Sequence, residues 1–150
     1  MKYFLLLLIP IFLGCNCTKR TTENGAVAEN QFEILFESPY GGKDDRFFET
    51  IHSAEEFNKL ISSPLFQNDE EFVKRFAAID FEKEAVIVLN MGLKNTGGYA
   101  ISVEEVVKKD NTTYVKVKET LPEPGSPVTM VLTNPFCIAI IKTNENIVFQ

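Results

Sequence analysis

Alternation of apolar and polar residues marks the first two strands of this chain. In residues 31–37 every second position is large and apolar, so Phe32, Ile34 and Phe36 are expected to share one face. A period of two is typical of a half-buried β-strand. A segment rich in glycine and proline interrupts this pattern, and residues 46–51 are predicted to form the second strand.

Residues 85–89 differ from these segments because every position is apolar. A strand of this kind is covered on both faces, which predicts a place in the middle of a sheet. Alternation then returns in residues 99–107. The inward side chains of this later segment are predicted to be Tyr99, Ile101, Val103 and, after a one-residue slip, Val106.

A polar turn at residues 109–111 separates that strand from another one, residues 112–118, and the two are predicted to pair as a hairpin. Residues 121–127 contain three prolines and are predicted to form a loop, because proline has no amide hydrogen to donate to a ladder. Three closing strands are predicted at residues 128–133, 136–142 and 147–149.

Two helices are predicted between the second and third strands. Ser53 and Glu56 have the spacing of a capping box, in which hydroxyl and carboxylate satisfy each other's backbone donors. The apolar face of this first helix contains Phe57, Leu60 and Ile61, and residues 62–64 end it. A second helix is predicted over residues 69–77, with an apolar face made of Phe72, Val73 and Phe76.

These elements together predict an α+β domain. It is mostly antiparallel β, arranged as a sandwich or an open barrel-like sheet, with one or two inserted helices.

The first residues follow a different pattern. A basic residue precedes an apolar segment that is shorter than the roughly 20 residues a bilayer-spanning helix needs. Gly14 stands directly before Cys15, a boundary that resembles the lipobox of bacterial lipoproteins, although Phe12 occupies a position where that family usually has leucine. The resemblance implies that residues 1–14 are a signal peptide and that Cys15 carries lipid. Cys17 is a poorer candidate for this modification.

Residues 15–30 contain almost no large apolar side chain and are predicted to be a flexible tether. About 15 residues of coil span roughly 20 Å, which would hold a domain just clear of a lipid surface. Residues 31–150 are then expected to form a single globular domain. The expected location is the cell envelope, anchored in a lipid bilayer, preferably the outer membrane, and facing the periplasm or the surface. The alternatives are a plainly secreted protein and an apolar terminus with no targeting role.

Charge and cysteine content indicate the kind of partner and the state of the cysteines. The chain has 15 basic and 21 acidic residues and a net charge of −6, which argues against nucleic acid as a partner. Once Cys15 carries lipid, Cys17 and Cys137 remain. A bridge between them is one alternative, but Cys137 lies in an apolar segment and is predicted to be a free, buried thiol.

The usual constellations of catalytic and metal-binding residues are missing from the sequence. His52 is the one histidine, and a lone imidazole between a strand and a helix cap is more often structural or solvated than a metal ligand. Adjacent carboxylates, such as those at residues 55–56 and 104–105, point in different directions in a helix or strand. The chain is therefore expected to be non-enzymatic, with no catalytic residue, no metal site and no cofactor besides the covalent lipid.

One local motif remains, in the loop between the apolar strand and the following alternating strand. Consecutive glycines permit positive φ angles and the close approach of another chain, and a tyrosine supplies a large amphipathic contact. The motif therefore suits a recognition loop, and it equally suits a tight turn whose tyrosine fills the core. Its residues are Asn95, Thr96, Gly97, Gly98 and Tyr99.

The sequence around this loop resembles the C-terminal domain of the PrcB family over about residues 80–149. The most specific similarity is the Thr-Gly-Gly-Tyr sequence at residues 96–99. The resemblance extends over residues 80–81, 92–95, 101, 124–129 and 133–136. Within these blocks the chain departs from the family in two places, since Asn95 stands where proline is common and residues 134–136 stand where a Ser-Pro-Tyr-like segment is common.

The family takes its name from a lipoprotein subunit associated with a spirochaete surface protease. The resemblance implies a non-catalytic accessory lipoprotein that presents residues 95–99 and 122–127 to a protein partner, a protease or another envelope complex. Two alternatives stay open. One is a protease inhibitor that inserts residues 95–99 into an active-site cleft, and the other is a small-ligand-binding domain.

Overall fold

The computed structural model describes residues 31–61, residue 66 and residues 70–150. The predicted signal peptide and tether, with Cys15 and Cys17, lie outside the described residues, as do residues 62–64. The described part of the chain forms, in order, β1 (Phe32–Ser38), β2 (Phe47–Ile51), α1 (Ala54–Ile61), α2 (Glu70–Ala77), β3 (Ala85–Asn90), β4 (Ala100–Lys109), β5 (Thr112–Thr120), β6 (Phe136–Ile141) and β7 (Asn146–Phe149).

Two sheets pack face to face. The first has the strand order β1-β6-β3-β2 with every neighbour antiparallel. The second has the order β4-β5-β7, in which β4 and β5 form the predicted hairpin and β7 runs parallel to β5. The predicted class, α+β and mostly antiparallel β, is therefore confirmed, and its architecture is a sandwich.

β3 lies in the middle of the first sheet, between β6 and β2, and all six of its positions are buried. Its side chains alternate between two cores. Val86 and Val88 point into the cluster beneath the helices, whereas Ile87 and Leu89 point into the cluster between the sheets. The prediction of a central strand covered on both faces is confirmed.

β1 is present as predicted, but its apolar side chains do not share one face. The register against β6 shifts between Ile34 and Phe36, which makes Leu35 an extra residue. Phe32 and Ile34 pack between the sheets, whereas Leu35 and Phe36 pack beneath the helices. The prediction that Phe32, Ile34 and Phe36 share a face is wrong, because the bulge reverses the alternation.

β4 contains the predicted slip. Its register against β5 shifts between Val103 and Glu105, and Ile101, Val103 and Val106 are all buried. The hairpin turn uses Asp110 at a φ of 54°, a left-handed conformation that aspartate tolerates better than most residues.

The helices cover the outer face of the first sheet with aromatic side chains. α1 begins as predicted, since the Glu56 amide donates to Ser53 Oγ at 3.2 Å and the Glu56 carboxylate accepts from the His52 amide at 3.3 Å. α2 buries Phe72, but Val73 is 46% exposed, because it lies a quarter turn away from the buried face. The prediction that Val73 belongs to the apolar face is wrong. No helix within the described residues is long and apolar enough to cross a bilayer.

The segment before β6 is the main departure from the predicted elements. Residues 128–133 form no strand, and their one ladder contact is an isolated bridge between Thr133 and Lys94. Met130 is 88% exposed and Leu132 is 59% exposed, so the apolar pattern faces outward instead of filling a core. The predicted strand at residues 128–133 is therefore wrong, whereas those at 136–142 and 147–149 are confirmed as β6 and β7.

Candidate functional site

Three long loops emerge at one end of the first sheet. In the strand register, Ser38 at the end of β1 and Asn90 at the end of β3 both lie opposite Phe136, the first residue of β6. The loops that follow β1 and β3 and the loop that precedes β6 therefore meet at this end. The described chain starts at the other end, where the Gln31 carbonyl accepts from the Lys142 amide at 2.9 Å. We call the end that carries the loops the distal end.

A buried asparagine fixes the first of these loops. The Asn90 side chain donates to the carbonyl oxygens of Lys43 at 2.9 Å and Asp45 at 2.5 Å, and its Oδ1 accepts from the Lys43 amide at 3.0 Å. Gly92, at a φ of 78°, passes so close that an added Cβ would lie 2.9 Å from the Asp44 carbonyl oxygen. The loop base is thus rigid, because every polar atom of the Asn90 amide is used.

The loop at residues 95–99 is covered by the segment before β6. The Thr133 hydroxyl donates to the Thr96 carbonyl at 2.9 Å, and the Gly97 amide donates to the Thr129 carbonyl at 3.0 Å. Gly97 is buried, and a Cβ added there would lie 2.2 Å from Thr129 Oγ1. The close approach that this glycine permits is therefore to a neighbouring loop of the same domain.

The five predicted loop residues differ in exposure. Tyr99 is half-buried against the core between the sheets, with Lys94 Nζ 5.7 Å from its ring centroid. Thr96 is also half-buried, whereas Asn95 and Gly98 are exposed, and Gly98 takes a φ of 90°. The structure brings all five residues to the distal end, and it places Asn95 and Gly98 where another molecule can reach them.

Exposed apolar side chains are concentrated at the distal end. Of the eight large apolar side chains exposed in the described residues, six lie in its loops, whereas Val73 and Val107 lie elsewhere. Five of the six lie in segments that adjoin residues 95–99, and we call them the distal apolar surface. They are Leu93, Leu121, Met130, Val131 and Leu132. The sequence analysis did not predict this surface. A signal for it was present, because three consecutive apolar residues, 130–132, follow soon after the proline-rich loop at residues 121–127.

A cleft of about 730 Å³ opens beside the loop. One wall is the end of β1, from Glu37 to Pro39, and the other is the start of β4. The Cys137 thiol lies buried in the neighbouring core as a free cysteine, as predicted. Burial, helped by the negative charge of Glu37, raises the pKa of this thiol to about 12, so Cys137 is neutral at physiological pH.

The other candidate functional residues of the sequence do not come together in one site. His52 is exposed, and its amide, not its imidazole, makes the capping contact. Within the described residues no three histidine, cysteine, aspartate or glutamate side chains are grouped so that they could hold a metal ion.

Comparison with known proteins gives one match. No curated protein and no solved structure matches the chain. A family model described as PrcB C-terminal matches residues 85–142, which run from β3 to β6 and include the loop at residues 95–99 and the whole segment before β6. β1 and β2, which pair with β6 and β3, lie outside the match, so the folded unit is larger than the matched segment. The match confirms that this chain resembles the PrcB C-terminal family across residues 85–142.

Proposed function

We propose that this chain is a lipid-anchored envelope lipoprotein that acts as a non-catalytic accessory subunit of a protease complex. Its distal apolar surface is the part that contacts the partner protein. The observation that carries this proposal is the concentration of exposed apolar side chains around residues 95–99, in the segment that matches the PrcB C-terminal family. Concentrations of exposed apolar side chains are typical of protein-interaction sites.

The loops that carry this surface are held in place, which lowers the entropy cost of binding a partner. Met130 and Leu132 belong to a segment that is tied to residues 94–97 through Thr129 and Thr133. Burying a Leu or Met side chain contributes about 1.5 to 3 kcal/mol. A partner that covers this surface gains most of that contribution, since little further ordering of the loop is required.

The position of the surface favours a protein over a lipid bilayer as its occupant. The chain enters the described domain at Gln31, and β1 carries it through seven residues to the distal end, a distance of about 20 Å. The segment that leads to Cys15 therefore joins the described domain at the end opposite the distal apolar surface.

Affinity purification of the lipidated chain from native membranes tests this proposal. We expect a protease to co-purify with the wild-type chain, identified by mass spectrometry and by peptide hydrolysis. The double substitution Met130→Glu and Leu132→Glu should remove it. Val73→Glu together with Val107→Glu, which changes apolar residues exposed elsewhere, is the matched control and should retain it.

Addition of the purified chain to the captured protease separates an accessory subunit from the inhibitor alternative. An accessory subunit leaves peptide hydrolysis intact or increases it, whereas an inhibitor suppresses it stoichiometrically. Retention of the protease by the Met130→Glu and Leu132→Glu variant would contradict the assignment of this surface.

A further inference from the structure

Sheet edges must be covered or blunted, because their unpaired amides and carbonyls attract other strands. β1, an edge of the first sheet, has both kinds of protection. Its bulge interrupts the ladder, and Arg75 from α2 donates to the Ile34 carbonyl at 2.8 Å while pairing with Glu33. This edge is therefore closed to an incoming strand.

β4, an edge of the second sheet, is protected over only part of its length. Its second part follows the bulge and is charged, with Glu105, Lys108 and Lys109 in sequence order. Its first four residues, Ala100 to Val103, carry no charge, and the bulge begins only after them. Within the described residues no strand pairs with the outer side of β4.

The hydrogen-bond pattern shows which backbone groups of β4 face this open side. Val117 of β5 lies opposite Val103, and its amide donates to the Gln150 carbonyl at 2.8 Å, away from β4. Val103 and Val117 are therefore a non-hydrogen-bonded pair. Ile101, two residues earlier on β4, likewise directs its amide and carbonyl away from β5, toward the open side.

The open side of β4 borders the 730 Å³ cleft described above. Ala100 to Glu104 form one wall, Glu37 to Pro39 form the other, and Phe136 contributes to the lining. Four or five residues of extended chain rise about 3.3 Å each, which matches the uncharged part of this edge. Of the outward backbone groups, the Val103 amide already donates to the Cys137 sulfur. Those of Ile101, a residue that is 3% exposed, are left for an added strand in the cleft.

Charge narrows the choice of occupant. Glu37 is exposed at the mouth of the cleft, and it makes no ion pair with any residue that the structure describes. Glu104 is already paired with Lys116 at 3.0 Å. Lys118 also lines the cleft and forms none of the ion pairs among the described residues. A bound segment can therefore pair a basic side chain with Glu37 and an acidic one with Lys118, whereas two copies of this acidic chain repel each other.

We propose that the cleft binds an extended segment of a partner polypeptide that adds to β4 as a further strand beside Ile101 and places a basic side chain at Glu37. Main-chain hydrogen bonds to Ile101 supply the affinity in this mode, and the Glu37 contact supplies selectivity. The cleft and the distal apolar surface share no residue, although the loop at residues 95–99 borders both.

Binding of a synthetic peptide to the full chain tests this proposal. The probe is acetyl-Lys-Thr-Val-Lys-Val-Thr-Lys-amide, measured by calorimetry and by hydrogen exchange. We expect binding that slows exchange of the Ile101 amide. The same peptide with alternate amides N-methylated has the same charge but fewer donors, and it should bind at least about tenfold more weakly.

Two variants test the charge contact. Glu37→Gln should weaken the unmethylated peptide by about two- to fivefold, in proportion to an exposed ion pair. Glu49→Gln removes an exposed carboxylate from β2 and should leave the affinity unchanged. Equal binding of the methylated and unmethylated peptides would overturn strand addition. Protection of the β2 amides instead of the Ile101 amide would show that the peptide binds at another site. If the chain self-associates without peptide and this protects the Ile101 amide, the occupant is a second copy of the chain and not a partner polypeptide.

Discussion

At the scale of single residues, the buried thiol of Cys137 gives the protein an alkaline sensitivity. Its pKa of about 12 in the folded state exceeds the reference value of 9.0, mainly because of burial. The folded state therefore keeps a proton that the unfolded chain loses above pH 9. The contribution of this group to stability is complete below about pH 9 and decreases by about 1.4 kcal/mol per pH unit until about pH 12.

Urea denaturation between pH 8 and pH 11 measures this effect. Cys137→Ala should be less stable at pH 8, because it leaves a small cavity, and its free energy of unfolding should decrease less steeply above pH 9. The difference in slope between the two proteins isolates the thiol from the tyrosine and lysine groups that titrate in the same range. Parallel pH profiles would contradict the assignment.

Gly97 and Thr129 form a second test at this scale. Gly97→Ala places a methyl group 2.2 Å from Thr129 Oγ1 and should destabilise the fold by about 1 to 3 kcal/mol. Adding Thr129→Ala removes that oxygen and leaves the Thr129 Cβ at an ordinary 3.6 Å, so the double variant should regain most of the loss. Thermal unfolding of the two single variants and the double variant gives the coupling energy. Additive effects would contradict the close contact.

The sequence predicted that the paired glycines permit a close approach, but it could not identify the approaching group. Thr129 lies far from Gly97 in the chain, in a segment that was predicted to be a strand. Only the packing of the two loops brings these residues together.

At the scale of elements, burial of β3 on both faces makes it sensitive to charge. Val86→Asp should destabilise the protein by about 3 kcal/mol or more, because an unpaired carboxylate would be buried beneath the helices. Val107→Asp on β4 is the matched control, since Val107 is 47% exposed. Melting temperatures measured for both should separate by several degrees. An unchanged melting temperature for Val86→Asp would show that β3 is not core.

Most elements could be predicted because their signals are local. The apolar segment of β3, the capping box of α1 and the slip in β4 each follow from neighbouring residues. The bulge in β1 could not be predicted, because it depends on the register against β6, a strand that lies far from β1 in the sequence. Residues 128–133 have the composition of a strand, but their backbone bonds go to the loop at residues 94–97 instead.

At the scale of the whole molecule, the proposal requires a lipid anchor at Cys15. Metabolic labelling with a fatty acid should mark the wild-type chain and Cys17→Ser equally, and it should not mark Cys15→Ser. The Cys17→Ser variant is the matched control because it removes a nearby thiol from the same segment. If the Cys15→Ser variant is still labelled, the lipid is attached to another residue.

We expect the distal apolar surface to touch a partner protein while the chain is in its native membrane. Site-specific photocrosslinking measures this directly, with a benzophenone side chain introduced at Met130 or, as the control, at Val73 on α2. Position 130 should give a crosslinked species of defined mass that contains a protease or a protein of its complex, and position 73 should give none. Absence of a protein crosslink at position 130, or the same crosslinks from both positions, would contradict this expectation.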